Sequence, residues 1–219
     1  MANEEHLNLL LQGLEVWNKF RRTRPEVQPD LREADLSGYD FTRIDLSKAD
    51  LAGADLSDAY LVRANLEEAN LTGANLMEAD LIEANLIKAT LTKATLVRAD
   101  LSSSGLIRAH LAEADLSGAN LTRTSLPWAI LSQSNLSKAT LHLTDLREAL
   151  LIGADLSEAN LQGASLTGTN LQGANLRGVK NLDIERLAKA KTLYQTQLDP
   201  ATKEQLEKGS PHLFTQPID

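Results

Sequence analysis

Four histidines and thirty carboxylate side chains are the residues of this chain best placed to do chemistry. His6, His110, His142 and His212 lie far apart, the first and last in the terminal stretches. The carboxylates are regular: Asp30, Asp35, Asp40, Asp45, Asp50 and Asp55 recur at one interval, each directly before a Leu or Phe. General acid and base work needs two carboxyls in one cleft with pKa values driven apart. A residue repeated once per unit and exchanged freely for Asn is instead a turn former, whose side chain bonds a nearby backbone N–H. No cysteine occurs, which excludes disulfides, thiolate metal sites and cysteine nucleophiles. A glycine-rich phosphate loop, a calcium-binding Gly-Gly-x-Gly-x-Asp run and an activated-serine pattern are all missing, so no catalytic residue, cofactor or metal is predicted.

What positions these side chains is an internal repeat. Leu stands at 31, 36, 46, 51, 56 and every fifth residue onward to Leu176, with Phe41 as the one replacement, giving 30 units without insertion or deletion. Two residues before each Leu lies a small residue, and 22 of the 29 such positions between 34 and 174 are Ala. Ser104, Thr124, Ser134, Thr144 and Thr169 fill five more, and only Tyr39 and Ile44 are large. On an α-helix five residues advance about 500°, so successive Leu would step round the axis by about 140° and leave no buried stripe. On a flat strand an odd period sends successive Leu to opposite faces. The chain must therefore turn a corner in every unit, with the small residue and Leu inward and the other three positions outward. Gly53, Gly73, Gly118 and Gly173, at the last position, suit a turn that visits positive φ.

The run, as in Ala49-Asp50-Leu51-Ala52-Gly53 and Ala154-Asp155-Leu156-Ser157-Glu158, resembles the pentapeptide-repeat proteins, whose signature is Ala-Asp/Asn-Leu followed by two variable residues. The resemblance implies an all-β solenoid, a right-handed quadrilateral parallel β-helix with four units per coil. Thirty units then make about 7.5 coils and, at about 4.8 Å between stacked strands, a rod about 36 Å long. In that frame His110 and His142 fall on opposite faces and cannot share a ligand.

An open β-helix end exposes unpaired strand groups, so caps are expected. The expected organisation is an N-terminal amphipathic helix and linker over 1–28, the β-helix over 29–178, and a C-terminal cap with short helices over 179–219. A single helix over 3–22 carries too wide an apolar arc for one contact, which predicts cover by the first coil and by something else. Tyr39 and Ile44 are expected to pack beneath that cap. Lys19, Arg21, Arg22 and Arg24 complement the helix C-terminus, and Pro25 and Pro29 mark the handover to the coils. Beyond Leu176, a short helix is expected over 183–189, with Ile184 and Leu187 inward. Leu193 and Leu198 fit a last partial coil, and a final helix starts at Asp199-Pro200 and stops at Gly209 before Pro211. Either terminal helix could serve as a homodimerisation arm.

Stacking positions 20 apart places Val62 and Ile82 in one outward column, beside Ile87, Ile107 and Pro127. Trp128, Ile130, Leu150 and Ile152 follow around the next corner. Aliphatic side chains and a tryptophan on an otherwise polar surface predict a protein-contact surface.

The net charge of −8 disfavours direct nucleic-acid binding and an anionic membrane surface. No apolar run approaches the roughly 18 to 20 residues of a membrane span, and an acidic N-terminus unlike a secretory leader predicts a cytoplasmic protein. Two functions are therefore weighed. The first is a non-catalytic structural and protein-binding scaffold with an unknown partner. The second, implied by the family's quinolone-resistance proteins, is a DNA mimic that binds type II topoisomerase (gyrase). Residues 29–178 hold 20 acids and 12 bases, whereas a duplex of about 36 Å carries about 21 negative charges, and no projecting loop interrupts a unit. The scaffold is preferred, and an enzyme has no supporting residue cluster.

Overall fold

A computed structural model describes residues 1–216. From Asp30 onward, single bridged residues pair in parallel with the residue 20 positions later, beginning at Asp30↔Asp50 and Asp35↔Asp55. Four units thus complete one coil, and four columns of bridges run along the rod. The residue before each Leu forms the bridge, and the two residues after Leu make the corner. Among the described residues, every corner but that at Leu36 closes through an N–H to C=O bond back to the repeat Leu, or to Phe41, as from Ala54 to Leu51 at 3.0 Å. Its third residue has positive φ, which Gly adopts freely. Glycine is nevertheless the minority there, and Glu33, Lys88, Arg98 and Trp128 adopt φ of 57 to 58°.

Stacking holds these corners in place. Each interior unit donates from Leu and from the corner residue to the next coil, as Leu51 to Asn70 at 2.7 Å and Gly53 to Thr72 at 2.9 Å. It also donates back to the preceding coil, as Asn70 to Ala49 at 2.9 Å. Inside, Phe41 and every repeat Leu from Leu31 to Leu176 are at most 3% exposed, and the inward repeat Ala residues are at most 5% exposed. Buried hydroxyls keep partners too: Thr124 and Thr144 donate to the Leu101 and Leu121 carbonyls at 2.7 and 2.6 Å.

The N-terminal segment forms two helices rather than one, α1 (Glu4–Leu11) and α2 (Leu14–Thr23). Gly13, at φ 101°, breaks the chain between them. The break resolves the over-wide apolar arc: each helix turns part of it inward, burying Leu10, Trp17 and Phe20. Ile44 is buried beneath the cap, but Tyr39 is 46% exposed and stacks on Phe41 at 5.8 Å instead. Arg21 does more than complement a helix end, because it is buried and donates to the Val27 and Ser47 carbonyls at 2.6 and 2.8 Å. Its Nε lies 4.0 Å from Asp45, an ion pair without a hydrogen bond.

At the other end, α3 (Ile184–Leu187) buries Leu187 and partly buries Ile184. Two extra residues accompany it, since the last bridges, Asn170↔Thr192 and Asn175↔Gln197, span 22 positions. Leu193 and Leu198 are buried in this final partial coil. Helix α4 (Pro200–Gly209) and a 3₁₀ turn (Pro211–Phe214) close the end, the Leu213 carbonyl accepting from the Leu193 N–H at 2.7 Å. The Asp199 side chain makes no bond to the N-terminus of α4; its carboxylate accepts from Gly178 N–H at 3.1 Å instead. Residues 217–219 of the expected C-terminal cap lie outside the described residues.

Candidate functional site

The regular carboxylates act as turn formers. Asp30, Asp35, Asp40, Asp45, Asp50 and Asp55 each accept through Oδ1 from the N–H two residues on, at 2.9 to 3.3 Å. Where Asn follows Asp in a column, its amide donates to that same oxygen, as Asn70 to Asp50 at 2.8 Å and Asn175 to Asp155 at 2.9 Å. The exchange of Asp for Asn therefore has a direction: the acid accepts and the amide bridges the coils.

Ion pairs run along the corners with the same spacing. Glu83 meets Arg63 at 2.6 Å and Glu113 meets Lys93 at 3.6 Å. Glu68 sits between Lys48 and Lys88 at 3.9 and 2.9 Å, and Glu78 pairs with Arg98. Hydrogen bonds from Lys88 and Arg63 hold Glu68 and Glu83 below the ordinary carboxylate range. Five of the rod's 20 acids, these four glutamates and Asp50 beside Arg32, are thus met by a cation one coil away.

His110 is bridged to Thr90 and Ile130, whereas His142 lies on the corner after the Thr140 bridge, two columns away. Their placement on opposite sides keeps them from meeting. His6 has a task that its position in sequence did not suggest: its Nδ1 accepts the Asp30 N–H at 3.0 Å. Among the described residues, no group of three or more His, Asp or Glu is arranged to hold a metal ion.

The predicted contact residues fall on adjoining parts of the surface. Stacked bonds from Arg63 to the Ile82 carbonyl and from Lys88 to the Ile107 carbonyl place Val62–Ile82 and Ile87–Ile107 in two corner columns. The Ile107 column continues to Pro127, which is buried. Beyond it Trp128 is 55% exposed, with the Arg108 guanidinium 5.7 Å over its ring. Ile130 bridges to Leu150, which is 37% exposed, and Ile152 follows at the next corner. Val62, Ile82, Ile87, Ile107, Ile130 and Ile152 are half-buried, so Trp128 and Leu150 are the projecting members. Tyr60, Met77 and Leu143 are also exposed and were not singled out from sequence; the regular polar pattern around them was the available signal.

A tube lined by Leu at every fifth residue, closed by a corner in each unit, defines a class before any particular relative. The chain belongs to the pentapeptide-repeat family: the model of pentapeptide repeats matches in 8 copies, over residues 30–67, 59–96, 99–137, 109–147 and 144–180. Among solved structures it is similar to HetL, a pentapeptide repeat protein involved in heterocyst differentiation regulation from the cyanobacterium Nostoc sp. strain PCC 7120. That match has 28% identity over 82% of this chain and 93% of that one, with a TM-score of 0.31. The pentapeptide repeat protein alr5209 from Nostoc PCC 7120 is 34% identical over 52% of this chain and 84% of its own, with a TM-score of 0.31. Full-length QnrB1, a plasmid-mediated fluoroquinolone resistance protein, is 17% identical over 80% of this chain and 96% of its own, with a TM-score of 0.38. No curated protein sequence matches the chain. No helix among the described residues is long and apolar enough to cross a membrane.

Proposed function

We propose that this chain is a non-catalytic scaffold that binds another protein through the side of its rod. The observation that carries this reading is Trp128, more than half exposed, covered on one side by Arg108 and adjoining the Ile130–Leu150 bridge. A large aromatic beside an arginine and branched aliphatics is the composition of a binding anchor. Val62, Ile82, Ile87, Ile107 and Ile152 extend the surface around it. The partner is a protein rather than a nucleic acid or a membrane, and the working compartment is the cytoplasm. The right-handed winding, the count of about 7.5 coils and the division at 28 and 178 belong to the same proposal.

DNA mimicry is the weaker reading. A mimic must project a continuous anionic field, whereas Glu68, Glu78, Glu83 and Glu113 are each paired with a base along the rod. In a gyrase supercoiling assay the protein is expected to leave activity unchanged; potent inhibition that disappears when rod acids are neutralised would replace the scaffold reading. For the surface itself, Trp128→Ser and Leu150→Ser should each lose the partner that the intact protein retains in a quantified pull-down, at an unchanged melting temperature. Equal retention by both variants would retire this surface.

A further inference from the structure

The first coil is only half closed by its cap. An interior unit exposes to the preceding coil the N–H and C=O of its bridge residue and the C=O two residues later, as Asn70 and Thr72 do toward Ala49, Leu51 and Gly53. The first coil has no predecessor, so the equivalent groups at positions 30, 35, 40 and 45 need other partners. The cap supplies two of the four columns, all but the Arg32 carbonyl. Asp30 bonds His6 through its N–H and the Asn3 N–H through its C=O, both at 3.0 Å. Asp45 N–H donates to Asn18 at 2.9 Å, its C=O accepts from Trp17 Nε1 at 2.7 Å, and Ser47 C=O accepts from Arg21 at 2.8 Å. Among the described residues, no bond reaches the N–H or C=O of Asp35 and Asp40, or the C=O of Arg32, Ser37 and Thr42.

This open half is exposed and carries two acids, Asp35 and Asp40, with Arg43 the exposed base at its margin. Asp35, Ser37, Gly38, Tyr39 and Asp40 are all exposed, and bonds from Ser37 and Thr42 hold the two carboxyls below their ordinary range. On the outer side of the cap, the last turns of α2 have the opposite character, although Glu4 and Glu5 of α1 are exposed as well. Lys19 and Arg22 are exposed beside Glu15, with Leu11, Leu14 and Val16 37 to 43% exposed. An unpaired edge is a template for another chain, and these two surfaces complement each other in charge.

The order of the columns is also compatible with twofold symmetry. A twofold axis across the rod end, passing between columns 30 and 35, exchanges 30 with 35 and 45 with 40. It therefore exchanges the covered pair with the open pair. We propose that a second copy of this chain docks head to head about this axis, each cap lying on the other copy's open half. Lys19 and Arg22 of one copy then face Asp35 and Asp40 of the other, and the apolar side of the cap meets the exposed Tyr39 ring. Such an interface is isologous and closes at two copies.

Sedimentation of the full chain tests this. The expected mass is twice 23.8 kDa. The double variant Lys19→Glu with Arg22→Glu, and separately Asp35→Lys with Asp40→Lys, should each sediment as monomers, because both contacts become like-charged. An equal mixture of the two should restore the dimer, since each reversed cap then meets a reversed edge. Melting curves verify that both variants fold, and Tyr39→Ala gives a second, uncharged disruption. Trp128→Ser should leave the dimer intact, which separates this interface from the side surface. A monomeric parent chain, dimeric charge-reversal variants, or no recovery on mixing would each overturn the proposal.

Discussion

Replacing Leu116 by Ala measures how tightly stacking holds the core. Leu116 is fully enclosed between Leu96 and Leu136 of the neighbouring coils, which are equally closed. Its N–H reaches the Asn135 carbonyl at 2.7 Å, and the same bond ties Leu96 to Asp115 at 2.6 Å. With the coil spacing fixed by these bonds, the walls cannot close over the missing carbons. The loss is the transfer term, about 2.4 kcal/mol for three carbons at about 0.8 each, plus an unrelaxed cavity term. This places the variant near the upper end of the Leu→Ala range, at about 4 kcal/mol. With a urea slope of about 2 kcal/mol per M, the midpoint should fall by about 2 M. Circular dichroism follows the whole rod, while Trp17 and Trp128 report the capped end and the side of the rod separately. A loss below about 1 kcal/mol would show that the coils move together to fill the hole, and would refute the claim that backbone bonding sets their spacing.

Two further outcomes follow from the ends. Trp17→Phe keeps most of the buried ring but removes the bond to the Asp45 carbonyl; a part-buried acceptor left without its donor should cost about 1 to 3 kcal/mol, read as a lower melting temperature. Asp30 is held down to about 2 chiefly by its hydrogen bond from Arg32, against about 3.9 in an unfolded chain. A depressed carboxyl contributes stability above its unfolded pKa and loses it as pH falls toward the folded one. The parent's melting temperature should therefore drop between about pH 4 and pH 2 more steeply than that of Asp30→Asn, and identical slopes would count against the Asp30–Arg32 pair.

Legibility in the sequence followed periodicity. The buried Leu and Ala columns, the Asp turn formers and the stacking of Ile130 on Leu150 all come from a strict interval, because one residue type at one position has one environment in every coil. The ends lack that redundancy. Gly13 splits the first helix, yet a lone Gly within an apolar run is a weak signal beside the surrounding Leu residues. Arg21 and His6 look like surface residues by type, and only the unpaired carbonyls and N–H groups of the first coil give them partners. Tyr39 was misplaced because a position that is inward in later coils is not constrained where the coil edge is open. Of the contact surface, the sequence pattern located the columns, but not that Trp128 and Leu150 alone project.

The left-handed corner residue restricts how this exterior can diversify. In all the non-glycine cases it is unbranched at Cβ, as in Glu83, Arg98, Lys138 and Leu143, because branching there collides with the backbone. The position just before it takes Val62, Ile82, Ile107 and Ile152 freely. Substitution can therefore tune one ridge only through side chains unbranched at Cβ, charged, aliphatic or aromatic as at Trp128, while its neighbour accepts compact branched bulk. New recognition specificity on such a rod is written in two unequal alphabets, side by side along every edge.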